Sequence, residues 1–242
     1  MLLSITIIIA FLLDAAMGEP RRWHPLVGFG NLAIRVEQKL NKQKSQIGSR
    51  LAGLVAWILV VLPFVIGIYF LQQVSSNYTF EIYAGFNIGL DALIAILILT
   101  IAIGAKSLVQ HAKAVSKALK KSDLSLARKN VALIVSRDTS KSDEVAINKA
   151  TIESVLENGS DAIFAAVFWF IILGIPGVVL YRLANTLDAM WGYRTNRFEY
   201  FGWAAARIDD VLNYEISSEF EEETSKEKNI SEENLNKLTG HF

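Results

Sequence analysis

Three acidic side chains, Glu153, Glu157 and Asp161, recur at four-residue intervals just before a long apolar run that begins at Ala162. Residues four apart lie on one side of a helix, so this spacing gathers three carboxylates at the mouth of a membrane segment. We expect them to lack a basic partner in their own helix and to need a counter-charge from elsewhere. Mg²⁺ suits such a cluster, because it takes one or two carboxylates and completes its shell with water and phosphate oxygens. An ordinary acidic helix face beside a bilayer would show the same spacing.

The composition is typical of a membrane protein. Hydrophobic residues make up 52% of the 242 residues, and the formal net charge of zero gives no overall bias toward nucleic acid. The chain has no cysteine, and its three histidines are His24, His111 and His241. Disulfides, thiolate nucleophiles and cysteine-based metal sites are therefore excluded, and we expect any metal chemistry to rest on carboxylates.

Apolar segments and basic loops predict the membrane topology. The segments Leu2–Met17, Leu51–Gln72 and roughly Phe86–Ala105 predict three spanning helices, the second kinked at Pro63. Basic residues number seven from Gly18 to Arg50, none from Gln73 to Leu90 and ten from Lys106 to Ala150. The positive-inside rule therefore places the two basic stretches in the cytoplasm and the connection between them outside. Asp14, about one turn from the end of the first helix, is either an interfacial acid or part of a site.

Short helices and loops are expected on the cytoplasmic side. Residues 21–30 predict an irregular loop that either cradles an anion or anchors Trp23 at the interface, and residues 31–50 predict a basic surface helix. Residues 106–121 predict an amphipathic helix, and residues 123–135 predict a second, shorter one. These elements place polar groups beside the membrane rather than inside it.

The loop Ser136–Thr139 precedes the helix that carries the acids. Ser140, with Asp143 three residues later, resembles a capping box that opens this helix. A helix amino terminus, two hydroxyl groups and Arg137 together form a ready phosphate site. No glycine-rich phosphate loop of the GxxxxGK[ST] type occurs in the sequence.

The apolar run from Ala162 is interrupted at Gly174-Ile175-Pro176-Gly177. It either continues through this break and crosses the membrane, or dips in and returns, which requires that protein or water satisfy the broken backbone. A full crossing would place Arg182 and Arg194 about 30 Å from the acidic helix. We therefore predict a re-entrant segment that returns residues 181–194 to the cytoplasmic face.

Six sequence motifs, in order, resemble the adenosylcobinamide-phosphate synthase family of cobalamin biosynthesis, the CobD/CbiB type. They are GEPRRWHPLVGFGN at 18–31, SRDT at 136–139, ESVLENGSD at 153–161, YRLANTLDAMWGYR at 181–194, FEYFG at 198–202 and RIDDVLN at 207–213. The resemblance implies an enzyme that joins a carboxylate of adenosylcobyric acid to the amine of (R)-1-amino-2-propanol phosphate, or of aminopropanol, with ATP and Mg²⁺. Such ligations commonly activate the carboxylate as an acyl phosphate before the amine attacks.

Side-chain chemistry then suggests roles at the positions of these motifs. We expect Glu153, Glu157 and Asp161 to bind the metal, and Asp14, Glu19, His24 and Asp188 to act in catalysis. The expected substrate and phosphate binders are Ser136, Arg137, Asp138, Thr139, Asn158, Arg182, Asn185, Tyr193 and Arg194. The expected partners are the two substrates, ATP, membrane lipid and other corrinoid-pathway enzymes, but not nucleic acid.

The sequence thus predicts an all-α polytopic membrane protein with about three full spans, one broken or re-entrant segment and cytoplasmic amphipathic helices. We expect residues 1–213 to form one domain that is embedded in the cell membrane, with a cytoplasmic helical insertion at 106–160. Residues 214–242 are acidic and are expected to be disordered, where the family normally continues into further apolar sequence. A truncated or complemented enzyme and a non-catalytic corrinoid-binding or assembly protein of the same fold are therefore alternatives.

Overall fold

A computed structural model of the chain describes residues 2–18, 25–42, 45–83, 86–135, 137–159 and 163–214. Within these residues the chain is almost entirely helical, as the sequence predicts. The helices and strands are α1 (Leu2–Met17), α2 (Pro25–Leu40), α3 (Gln46–Ser75), β1 (Thr79–Tyr83), β2 (Phe86–Gly89), α4 (Leu90–Ile103), α5 (Ala105–Lys120), α6 (Leu124–Val131), α7 (Glu144–Gly159), α8 (Ala165–Trp191) and α9 (residues 203–214).

Three helical stretches of the described chain are long and apolar enough to cross a membrane. They are Gln46–Ser75, Leu90–Lys120, which bends at Gly104 between α4 and α5, and Ala165–Trp191. Helix α1 is apolar but has only 16 residues. Large apolar side chains such as Leu12, Leu59 and Phe70 remain exposed, which is costly in water and is expected of a surface that faces lipid. The fold is therefore that of an all-α membrane protein.

Two apolar clusters hold the membrane helices together. The first joins α2, α3, α8 and α9 around the buried side chains of Val60, Tyr181 and Trp191. The second joins α1, α4 and α8, and many of its members are alanines, which let helix backbones approach closely. Helices α1 and α4 run parallel, since Thr100 donates to the carbonyl of Ala10 and the backbone N–H of Lys106 donates to Asp14.

Helix α8 reverses direction at Gly174, which has φ 66° and ψ −150° and is followed by Pro176. A Cβ on Gly177 would lie 2.6 Å from Cβ of Leu173 and would collide with the carbonyl of Trp169, eight residues earlier. In a straight helix Trp169 and Gly177 would be about 12 Å apart along the axis.

Helix α9 contacts both arms of α8. The indole of Trp169 donates to Leu212 O (3.1 Å), and the hydroxyl of Tyr181 donates to Asn213 (2.9 Å). The two arms of α8 therefore fold back on each other, which is the chain reversal that the predicted re-entrant segment requires.

Helices α5, α6 and α7 form a separate small bundle with its own core. Val115 and Ala118 of α5 pack with Ala127 and Val131 of α6 and with Ile147 of α7. The predicted amphipathic helix is confirmed as α5, and the predicted second helix is confirmed as the shorter α6, capped by Asp123. The predicted capping box is only partly right. Asp143 accepts from the N–H of Ala146 at the start of α7, whereas Ser140 bonds to Asp138 instead.

Several predicted boundaries were wrong. Residues 25–30 belong to α2 rather than to an irregular loop, because Pro25 is well suited to the first position of a helix. Residues 31–50 are not one helix: α2 ends at Leu40, and Ser45 caps a new helix by accepting from Gly48 N. The third apolar segment begins as a helix at Leu90, since Phe86–Gly89 pairs as an antiparallel strand with Thr79–Tyr83. Residues 19–24 and the acidic tail at 215–242 lie outside the described residues.

Candidate functional site

A cavity of about 790 Å³ lies where the small helical bundle meets the end of α8. Its walls come from α5, from the segment after α6, from α7 and from the last three turns of α8 with the residues that follow. The lining residues are Gly104, Ser107, Leu108, His111, Leu133, Ile134, Val135, Arg137, Ala150, Glu153, Ser154, Glu157, Asn158, Arg182, Asn185, Asp188, Ala189, Gly192 and Tyr193. Residues from both sides of the re-entrant segment thus share one concave site.

Helix α7 supplies the acidic wall. Ile147, Ala150 and Ser154 are buried against the small bundle, and this orientation directs Glu153 and Glu157 to the cavity. Ser154 fixes the helix by donating to Ile134 O (2.5 Å), and Asn158 Nδ2 donates back to the carbonyl and hydroxyl of Ser154 (2.8 and 2.9 Å). The acidic face is therefore set by packing on its opposite side.

The expectation that these acids lack a basic partner in their helix was wrong. Lys149 lies one turn before Glu153, with its Nζ 3.7 Å from Oε1, and Arg137 approaches Oε2 of the same carboxylate at 2.8 Å. Glu157 lines the cavity one turn further along. Asp161 lies outside the described residues. Within the residues that are described, no group of three His, Asp or Glu side chains is arranged to hold a metal ion.

The end of α8 supplies the opposite wall. Arg182, Asn185 and Asp188 recur at three-residue spacing and line the cavity together with Tyr193 beyond the helix. Tyr181, Leu187 and Trp191 are buried on the other side of the helix, and Trp191 packs edge-to-face on Phe201. These four polar residues were all predicted from the sequence. They are far from α7 in the sequence, but they line the same cavity as Glu153 and Glu157.

The predicted phosphate loop contributes less than expected. Thr139 is buried, and its hydroxyl donates to Arg128 O (3.2 Å). The carboxylate of Asp138 accepts from the backbone N–H of Ser140 and then from its hydroxyl, and these two hydrogen bonds hold the pKa of Asp138 below its ordinary value. Arg137 is the one described residue of this loop that lines the cavity. Ser136 lies outside the described residues.

Asp14 lies behind the cavity wall rather than in it. It is only 2% exposed, and its Oδ2 accepts from the N–H of Lys106 in the first turn of α5 (2.9 Å). Lys106 in turn donates from Nζ to Ala16 O at the end of α1 (2.6 Å). Since Gly104 offers no side-chain cap, Asp14 satisfies the amino terminus of a helix whose first turns line the cavity. Arg194 does not line the cavity, and Glu19 and His24 lie outside the described residues.

An ion pair between a buried glutamate and an exposed arginine fixes the segment after α8. Glu37 is 3% exposed and accepts from Arg197 Nε (3.0 Å) and from Asn41 (2.7 Å), while Asn41 also donates to the carbonyl of Arg197 (2.9 Å). Burial raises the pKa of Glu37, but the hydrogen bonds from Arg197 and Asn41 and the charge of Arg197 outweigh it and leave the pKa below its ordinary value. This contact ties α2 to the chain just beyond Tyr193.

Sequence reasoning missed the contribution of α5. Gly104, Ser107, Leu108 and His111 line the cavity at helical spacing of three, four and seven residues. Residues 106–121 were predicted only as an amphipathic helix, and His111 was not among the expected site residues. The apolar residues Leu133, Ile134 and Val135 were also missed. They could have been found from the sequence by their position just before Arg137, which was an expected site residue.

The fold and the cavity define an all-α membrane protein with a mixed-charge site at one end of its helical bundle. The sequence profile described as "CobD/Cbib protein" matches residues 7–216. The chain belongs to this family.

Curated relatives carry the same family name. The chain is 54% identical over 210 residues to the cobalamin biosynthesis protein CobD of Stutzerimonas stutzeri, covering 87% of this chain and 65% of the relative. It is 51% identical over 210 residues to that of Chromobacterium violaceum, covering 85% and 63%. It is 38% identical over 208 residues to the probable cobalamin biosynthesis protein CobD of Pyrococcus abyssi, covering 85% and 65%. The chain thus spans less than two thirds of the length of these relatives. No solved structure matches it.

Proposed function

We propose that this chain acts in cobalamin biosynthesis as a ligase that joins adenosylcobyric acid to (R)-1-amino-2-propanol phosphate, or to aminopropanol, at the expense of ATP. The observation that carries the proposal is the shared cavity, which collects Arg137, Glu153 and Glu157 from one side of the re-entrant segment and Arg182 and Asp188 from the other. The names of the relatives, which refer to cobalamin biosynthesis, support the same pathway.

The charges of the cavity suit the demands of amide ligation. A carboxylate must first be activated, which develops negative charge on phosphate oxygens, and guanidinium groups stabilise that charge well. Arg137 and Arg182 would serve here from opposite walls. The ammonium group must lose one proton before it attacks and a second one as the amide forms. The carboxylate of Asp188 would hold the ammonium group by charge, accept these protons in turn and pass them to solvent. Asn185 and Tyr193 would bind polar groups of the substrates.

Mg²⁺ fits the acidic wall as part of this proposal. It needs only one or two carboxylates alongside phosphate oxygens, and Glu153 and Glu157 lie one turn apart on the cavity side of α7. When bound, it would neutralise charge on the phosphates of ATP. Asp161, the third expected ligand, lies outside the described residues.

The ion pair between Arg137 and Glu153 is suited to exchange of partners. Their side chains are 57% and 47% exposed, and such exposed pairs contribute only about 0.2–1 kcal/mol. Arg137 can therefore turn to a phosphate while Glu153 turns to a cation, at little cost. Each residue is the other's counter-ion until substrate supplies a stronger one.

The cavity is proposed to face the cytoplasm. Ten basic residues lie from Lys106 to Ala150, the stretch that forms most of the small bundle, and the positive-inside rule places such a stretch inside. The connection from Gln73 to Leu90 has no basic residue and would lie outside. ATP is available on the cytoplasmic side, as the reaction requires.

Turnover of the purified chain tests the proposal. The protein in detergent micelles would be given adenosylcobyric acid, MgATP and either aminopropanol phosphate or aminopropanol, and the corrinoid product would be identified by mass. Amide product that depends on ATP and disappears in Arg182→Ala supports the ligase. Corrinoid binding without turnover would instead favour a binding or assembly role, and neither binding nor turnover would contradict both.

A further inference from the structure

His111 occupies a defined place in the cavity. It is half-buried on α5 and lies one turn after Leu108 and two turns after Gly104, on the face that lines the cavity. Of the three histidines of the chain, it is the one that the described residues include. It therefore brings the one imidazole of the described cavity on a rigid helix.

The imidazole of His111 is available to a ligand. Within the described residues it forms no hydrogen bond or ion pair, and Glu153, an acid of the same cavity, is already held by Arg137 and Lys149. A buried or half-buried imidazole usually has such a partner, because each ring nitrogen is a donor or an acceptor. Ring nitrogens that no described residue binds are a feature that the amide ligation described above does not require.

Apolar side chains accompany His111 along this part of the cavity. Leu108, Leu133, Ile134 and Val135 all line it, and Leu133 is 69% exposed. Together they give the cavity an apolar surface, and the flat face of a macrocycle would cover it. The charged residues Glu157, Arg182 and Asp188 come from the other elements, so the cavity offers both an apolar surface and a charged one.

The carboxylates and the imidazole of the cavity suit different metal ions. Carboxylates prefer hard ions such as Mg²⁺, whereas a neutral imidazole nitrogen suits transition metals. The chain has no cysteine to compete. A corrinoid carries cobalt with an axial position that water occupies when the molecule has no nucleotide base of its own. An imidazole that displaces this water would fix both the distance and the tilt of the corrin ring.

We propose that His111 binds the cobalt of the corrinoid substrate through an axial imidazole nitrogen, with Leu108 and Leu133 against the ring. The inference rests on the proposed function, because the substrate brings the cobalt. No bond other than the axial one changes: a water molecule leaves and a nitrogen replaces it, without oxidation or reduction.

Electron paramagnetic resonance of the full chain with cob(II)yric acid, the proposed corrinoid substrate without its adenosyl group, tests the proposal. This corrinoid lacks a nucleotide base, so an axial nitrogen can come only from the protein or buffer. In a buffer without amines, an axial ¹⁴N nucleus would split the high-field cobalt lines into triplets, and protein grown on ¹⁵N-labelled histidine would turn the triplets into doublets. The variant His111→Gln should lose the splitting. Gln110→Ala is the matched control, since Gln110 is exposed on the same helix and does not line the cavity.

The outcomes distinguish this inference from the proposed function. Triplets that vanish in His111→Gln and persist in Gln110→Ala support axial ligation, and retained corrinoid binding by His111→Gln shows that this variant still folds. Retained corrinoid binding without nitrogen splitting in the unmodified chain would overturn the inference and leave the proposed function standing. Absence of corrinoid binding to the unmodified chain would overturn both.

Discussion

Gly177 packs against the main-chain carbonyl of Trp169, eight residues earlier in the same helical segment. This contact exists because Gly174 adopts a left-handed φ of 66° and reverses the chain. The reversal returns Arg182 to the end of the bundle at which Glu157 lies. Without it, the two walls of the cavity could not meet.

Substitution of Gly177 tests that contact. In Gly177→Ala the new methyl group would collide with Trp169 O and lie 2.6 Å from Cβ of Leu173, so the two arms must separate. We expect a loss of about 1–3 kcal/mol, as for other overpacked sites, seen as a lower Tm in detergent. Gly67→Ala in α3 is the control, because nothing lies within 4 Å of its added Cβ. Equal stability of both variants would mean that the arms are not packed this closely.

The cap that Asp14 provides to α5 predicts a graded response. Asp14→Asn keeps an oxygen that can accept from Lys106 N, whereas Asp14→Ala removes it and leaves a buried donor unsatisfied. We expect Asp14→Ala to cost about 0.5–2 kcal/mol of stability and Asp14→Asn clearly less. Thermal unfolding in detergent measures both. If Asp14 acts directly in catalysis instead, Asp14→Asn would abolish turnover without loss of Tm.

The acidic wall can be tested by removing charge without volume. Glu157→Gln should abolish ligation while membrane insertion and Tm are retained, because the carboxylate is proposed to hold Mg²⁺. Glu144→Gln is the control, since Glu144 is exposed in the first turn of the same helix and does not line the cavity. Turnover of Glu157→Gln at saturating Mg²⁺ would count decisively against the metal role of this residue.

The ion pair of Glu37 and Arg197 predicts a pH dependence of stability. The folded-state pKa of Glu37 is lowered, so the pair stabilises fully above the ordinary glutamate pKa of about 4.3 and loses this contribution as the pH falls through the lower folded value. We therefore expect the Tm of the unmodified chain to fall more steeply below about pH 4.3 than that of Glu37→Gln. Parallel Tm curves for the two proteins over this range would exclude the pair as a source of acid sensitivity.

Much of the fold could be predicted because apolar length and helix breakers are local signals. The interruption at Gly174 and Pro176 comes too early for a full span, and it produced the reversal that the sequence predicted. The strands at 79–83 and 86–89 were missed because short apolar runs do not distinguish strand from helix. Ser140 was expected to cap α7 by its spacing from Asp143, but the local hydrogen bond to Asp138 took its hydroxyl.

The site was predictable where residue type restricts chemistry. Arg137, Glu153, Glu157, Asn158, Arg182, Asn185, Asp188 and Tyr193 were expected in a site and do line one cavity. Their roles stay predictions. Asp14 and Thr139 were expected there too, but a polar side chain beside a site can serve a helix end or a backbone carbonyl, and the sequence does not distinguish these uses. His111 was missed because its face of α5 lines a cavity only once the reversal of α8 at Gly174 has brought the second arm of α8 opposite it.

Cysteine accessibility tests the central claim most directly, namely that both walls of the cavity lie on one side of the membrane. The chain has no cysteine, so single substitutions at the exposed positions Ser76, Lys149 and Thr195 give unambiguous labelling. An impermeant thiol reagent should label Ser76→Cys in intact cells, and should label Lys149→Cys and Thr195→Cys only after permeabilisation. Labelling of Thr195→Cys in intact cells, with Lys149→Cys still protected, would show that α8 crosses the membrane and would contradict the shared cavity.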